Sequence, residues 1–169
     1  MNAVKRLIMI SLLTAAALTA GTIESRFPLP FPGMRLGAAN IFILTALKIS
    51  SPADAAAVAF MKIALSFLFS GNVVAALCSA GGHACSLPVI VTLYKFFPDD
   101  LSIPAISTAG AFAFNFGQIA AIAAILRAPG IFAYLPPLLI VAAITGFSIG
   151  HAAEIVTKRL ENVKKSRLI

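Results

Sequence analysis

Ser102-Ile103-Pro104-Ala105-Ile106-Ser107-Thr108-Ala109-Gly110-Ala111-Phe112-Ala113-Phe114-Asn115-Phe116-Gly117-Gln118-Ile119-Ala120-Ala121-Ile122-Ala123-Ala124-Ile125-Leu126 carries no charged side chain over 25 residues. A helix needs about 20 apolar residues to cross the hydrocarbon core of a bilayer, so this stretch is long enough to span it. The whole chain is built the same way. Of 169 residues, 60% are hydrophobic and 11% charged, and the mean hydropathy is +0.98. A water-soluble domain would carry about a quarter charged residues, so this composition excludes one.

Working outward from 102–126, apolar runs separated by turn formers predict six spans, at about 7–23, 36–50, 53–70, 72–94, 102–126 and 131–155. Ser50-Ser51-Pro52 and Ser70-Gly71-Asn72 are tight turns, which makes hairpins of the second to fourth spans. Phe97-Pro98-Asp99-Asp100 and Arg127-Ala128-Pro129-Gly130 close the next two segments. The break from Glu24 to Arg35 alternates prolines at Pro28, Pro30 and Pro32, which fixes an extended path and forbids helix. The expected fold is all-α: a polytopic six-helix transmembrane domain over 1–157, with a basic tail at 158–169. Residues 1–20 are read as a retained span rather than a cleaved signal, because no small-x-small site precedes Gly21.

Basic residues sort by side. With six spans, Lys5, Arg6, Lys48, Lys95, Lys158, Arg159, Lys164, Lys165 and Arg167 share one face, against Arg26, Arg35 and Arg127 on the other. The positive-inside rule then puts both termini in the cytoplasm and the proline loop outside. The net charge of +7 is explained by this anchoring, and nucleic acid is not an expected partner. Cys78 and Cys85 lie seven apart without a CxxC spacing and read as packing residues, so no metal or cofactor is expected.

Polar side chains inside a span need a partner or a wet cavity. Lys62 lies about 12 Å below the outer end of the third span, His83 about 16 Å down the fourth, Asn115 about 16 Å and Gln118 about 12 Å down the fifth, and Asn40 about 6 Å down the second. These depths agree across antiparallel helices, so four helices are expected to present polar groups to one outward-opening pocket, roofed by the proline loop with Arg26 and Arg35. Packing supplies the alternative use for each: His83 beside Gly81-Gly82 as a hydrogen-bonded core residue, Asn115 and Gln118 as interhelical bonds. Glu24 is expected to pair with Arg26 or Arg35, and Asp54 to satisfy a helix dipole. Small residues at Ala16 and Ala20, Ala17 and Gly21, and Gly146 and Gly150 form flat stripes for helix packing or for a partner subunit.

The blocks Pro28-Leu29-Pro30-Phe31-Pro32-Gly33-Met34-Arg35-Leu36-Gly37-Ala38-Ala39-Asn40-Ile41, Ser70-Gly71-Asn72, Ser79-Ala80-Gly81-Gly82, Asn115-Phe116-Gly117-Gln118, Tyr134-Leu135-Pro136 and Thr145-Gly146 resemble, in order, the Gx transporter family. That family is also called heptaprenyl diphosphate synthase component I. It departs from the pattern at Phe114, where the family often has His. The family in turn is similar to the substrate-binding S components of energy-coupling-factor transporters of the bacterial cytoplasmic membrane. The resemblance implies capture of a small anionic solute such as a flavin, and coupling to a shared transmembrane protein and separate ATPase subunits. The residues expected to contact the substrate are Arg26, Arg35, Asn40, Lys62, Asn72, His83, Asn115 and Gln118, and those expected to dock the coupling protein are Ala16 and Ala20. The older name implies a different function, a subunit of polyprenyl diphosphate synthesis. Catalysis there needs Asp-rich motifs to hold magnesium, and Asp99-Asp100 is followed by Leu101-Ser102-Ile103, so the chain is not expected to be an enzyme. A membrane assembly protein without a solute is the third reading.

Overall fold

The computed structural model describes residues 3–24, 26 and 37–166. Those residues form six α-helices and no strand: α1 (Ala3–Glu24), α2 (Asn40–Ile49), α3 (Pro52–Ser70), α4 (Val73–Phe96), α5 (Ile103–Leu126) and α6 (Leu135–Ser166), with a 3₁₀ turn at Pro129–Tyr134 leading into α6. The proline loop and Arg35 lie outside the described residues.

Local chemistry sets the helix ends. Ser51 caps α3, its hydroxyl accepting from the Asp54 amide at 3.2 Å, with Pro52 pre-set for the first helical position. Gly71 ends the same helix in the left-handed region at φ 65°, where its N–H closes back on the Phe67 carbonyl at 2.8 Å. Asn72 then caps α4 by accepting from Ala75 N–H at 2.9 Å, and Ser102 caps α5 through Ala105 N–H. Both turns expected from serine, glycine and proline are therefore present.

Five helical segments are long and apolar enough to cross a membrane: Ala3–Glu24, Pro52–Ser70, Val73–Phe96, Ile103–Leu126 and Pro129–Leu160. The second expected span is corrected. As described, α2 has ten residues. At about 1.5 Å per residue it covers about half the thickness of the hydrocarbon core. Its start is fixed where Gly37 turns the chain at φ 80°.

The helices close a ring. α1 packs on α3, α3 on α4, α4 on α5, α5 on α6, and α6 on α2, which also touches α1 and α3. Five consecutive residues of α2, Ile43 to Leu47, are buried, so this short helix is enclosed on all sides and forms the apolar centre with Ile10, Leu13, Ala17, Val58 and Ile106. Outward faces carry exposed Leu12, Phe60, Leu68, Ile140 and Phe147, as a lipid-facing bundle requires.

Glycine sets the closest crossings. A Cβ on Gly81 of α4 would lie 2.9 Å from the Gly117 carbonyl oxygen of α5, so the two backbones touch there. Gly146 and Gly150 likewise press α6 onto Thr108 and Ser107 of α5, so the stripe read from their spacing is an internal seam.

One ion pair ties three elements. Arg6 of α1 reaches the buried Asp54 of α3 with Nη2 at 2.6 Å and Nε at 2.8 Å, and Ser50 at the end of α2 donates to the same carboxylate. Asp54 does lie in the first turn of α3, but this long-range pair, 48 residues apart, was not legible in the sequence. Asp54→Ala strips a buried junction of its charge-assisted bonds, so a thermal melt in detergent should show the midpoint lowered by about 5 °C, and Arg6→Ala should lower it less.

Candidate functional site

At the end of the bundle opposite Asp54, a partly enclosed cavity of about 350 Å³ lies between α1, α3 and the start of α4. α1 contributes Leu18, Gly21 and Thr22; α3 contributes Lys62, Ser66, Phe69 and Ser70; the α3–α4 turn and first turn of α4 contribute Asn72 and Ala75. Lys62, Ser66 and Phe69 share one face of α3 by their four- and seven-residue spacing from Lys62.

Lys62 is the only charged residue among the described ones lining the cavity, and it is 6% exposed. It sits mid-helix, and its stem runs along α1: Cε lies 3.7 Å from the position a Cβ would take on Gly21. A methyl group at 21 would meet that stem at ordinary van der Waals distance. The N-terminus of α4 opens on the same space, where its first N–H groups carry the positive end of the helix dipole. One ammonium, a helix start, three hydroxyls and an amide, with no acidic group among the described lining residues, make a cavity suited to an anion.

The sequence-predicted residues divide into groups. Lys62 and Asn72 line the cavity together. His83, Asn115 and Gln118 do not; all three are buried, His83 on α4 and Asn115 and Gln118 on α5. His83 Nδ1 lies 2.8 Å from the Ser79 carbonyl oxygen, its ring meets Phe114 edge-on at 5.0 Å, and Asn115 Nδ2 donates to the Ala111 carbonyl at 3.1 Å. Gly82 leaves room for the Phe114 ring, so the phenylalanine that departs from the resembled pattern packs into this seam. His83 and Asn115 thus bond carbonyls one turn back on their own helices, and eleven residues of α4, about 16 Å, separate His83 from Asn72. Among the described residues, Lys62 and Asn72 thus share a cavity built by three elements, and His83, Asn115 and Gln118 are not in its lining.

Asn40 begins α2 beside Gly37 and is not among the cavity's lining residues. Arg26 is exposed in the turn after α1. Glu24 differs from its expected arginine pairing: its carboxylate accepts from the Gly37 and Ala38 amides. On α1, Ala17 is fully buried, Ala16 and Ala20 are partly buried, and the open small-residue face runs through Ser11, Ala15 and Thr19. Thr22 and Ser66 in the cavity wall were missed by sequence reasoning, although the four-residue step from Lys62 to Ser66 was available as a signal.

Apolar helices, five of them fit to cross a bilayer, with a polar, cationic cavity between α1, α3 and the start of α4 define a polytopic helical membrane protein. Residues 13–156 match the family described as heptaprenyl diphosphate synthase component I, and the chain belongs to that family. No curated protein and no solved structure matches it.

Proposed function

We propose that this chain is the substrate-binding membrane subunit of an uptake transporter, similar to the S components of energy-coupling-factor systems, and that it takes a small anionic vitamin or cofactor precursor such as a flavin nucleotide. The observation that carries the reading is the buried Lys62 in a partly enclosed cavity with no acidic group among its described lining residues. A catalyst of polyprenyl diphosphate synthesis is less well supported. Its diphosphate would need clustered carboxylates, and Asp99 and Asp100 are exposed in the turn after α4, at the far end of that helix from the cavity. The family description leaves an accessory role beside a synthase as the alternative outcome of the experiment.

Arg6, Lys48 and Lys158 cluster at the end of the bundle away from the cavity, which supports a cytoplasmic assignment for that end and an outward cavity. Both termini then face the cytoplasm of a bacterial cell. Ala16 and Ala20 border the open face of α1 and serve in this reading as the docking stripe for a transmembrane coupling protein with its ATPase subunits.

Uptake of radiolabelled flavin mononucleotide by cells producing the chain together with such coupling subunits tests the reading. Accumulation that stops when ATP is depleted supports it. An absence of accumulation, with a prenyl synthase subunit co-purifying in fixed ratio, overturns it in favour of the accessory role. Replacing Ala16 and Ala20 by Leu should reduce uptake by about tenfold or more through lost helix contact while leaving solute binding intact, and normal uptake would end the docking proposal.

A further inference from the structure

The two sides of the break between α1 and α2 are joined by one buried carboxylate. Glu24, the last residue of α1, is 8% exposed, and its two oxygens accept from Gly37 N–H at 2.8 Å and Ala38 N–H at 3.0 Å. Those amides stand just before α2, whose first turn closes from Asn40 N–H to the Gly37 carbonyl at 2.7 Å. The carboxylate thus lies at the positive end of the α2 dipole. Gly37 adopts φ 80°, and a Cβ there would come within 3.1 Å of Ile149 and 3.2 Å of Asn40, so only glycine turns the chain here without strain.

The next link leads to the cavity. Ala39 is 3% exposed and lies 3.8 Å from the Cβ position of Gly21, the point that the Lys62 stem approaches at 3.7 Å. Gly21 and Glu24 are one helical turn apart on α1. Bonding of Glu24 to the residues just before Ala39 therefore holds the start of α2 beside α1 at the spot where the lysine passes.

We infer that Glu24 is a positioning residue: by holding Gly37 and Ala38 it seats Ala39 against Gly21 and so fixes the course of Lys62 into the cavity. The meaning of that course rests on the anion-binding reading, but its test needs no solute. Purified wild-type, Glu24→Ala and Glu24→Gln proteins are compared by amide hydrogen exchange over 37–40, by acetylation of Lys62 with an N-hydroxysuccinimide ester, and by alkylation of the buried Cys78. In Glu24→Ala, exchange at 37 and 38 and acetylation of Lys62 should each rise by about tenfold or more, the effect of losing bonds to a charged acceptor. Glu24→Gln, which keeps the length and one acceptor oxygen, should fall between, and it carries the test alone if the alanine variant does not fold. Cys78 alkylation should stay as slow as in the wild type.

Unchanged exchange at 37 and 38 overturns the inference. So does faster exchange with unchanged Lys62 acetylation, and so does Cys78 alkylation rising in step with Lys62, which would mean general loosening. Flavin mononucleotide binding by the wild-type protein is measured separately, and its absence would count against the proposed function while leaving these three readouts to decide on Glu24.

Discussion

Lys62→Met should bind flavin mononucleotide at least about tenfold more weakly than the wild-type chain, because a hydrogen bond from a charged donor contributes about 1.5–3 kcal/mol and methionine supplies neither charge nor donor. Methionine matches the lysine stem in length, so the passage beside Gly21 stays filled and the loss reports on the ammonium. Methionine adds no polar group to a site that is 6% exposed. Quenching of flavin fluorescence during titration with each protein measures the ratio. Equal affinities would remove Lys62 from the binding site.

Gly117→Val should be the most damaging single change in the helical frame. A Cβ at 117 would lie 2.9 Å from the Gly81 carbonyl carbon and 2.8 Å from Cys85 Sγ, and inside contact distance of the Gly81 oxygen. Backbone atoms cannot rotate aside as a side chain can, so α4 and α5 must separate and lose their packing along the whole seam. Overpacking of this kind destabilises by about 3 kcal/mol, and here it also parts His83 from Phe114. Size-exclusion profiles and melts in detergent should show a protein mostly aggregated at temperatures where the wild type is monodisperse. Gly71→Ala is the useful comparison: no atom lies within 4 Å of its Cβ position, and only the strain of φ 65° is added. A Gly117→Val protein as stable as the Gly71→Ala protein would contradict the described crossing.

Much of the frame was legible because hydrocarbon permits few solutions. Helix ends at Ser51, Gly71, Asn72 and Ser102 follow from capping chemistry that acts within four residues, and periodicity plus turn formers locate them. The length of α2 was not legible. Leu36 to Ala39 are apolar or small and read as helix, whereas the Gly37 turn depends on Glu24, thirteen residues away.

The site was legible in part for the same reason. Lys62 stands out in any reading because a cation in the middle of a span demands an explanation. Depth along the helix is readable from sequence, but the direction a side chain faces relative to neighbouring helices is not. His83, Asn115 and Gln118 have the depth for a shared pocket, yet His83 meets the Phe114 ring and none of the three is among the residues lining the Lys62 cavity. Ser66 and Thr22, polar enough to line a cavity but unremarkable in a membrane helix, become visible only when α1 and α3 are set side by side.

Equilibrium dialysis of radiolabelled flavin mononucleotide against the purified wild-type protein tests the central claim most directly. An anion-binding transport subunit predicts saturable binding of one molecule per chain, lost from Lys62→Met at the same concentrations. Binding that never saturates, or that persists undiminished in Lys62→Met, would contradict it.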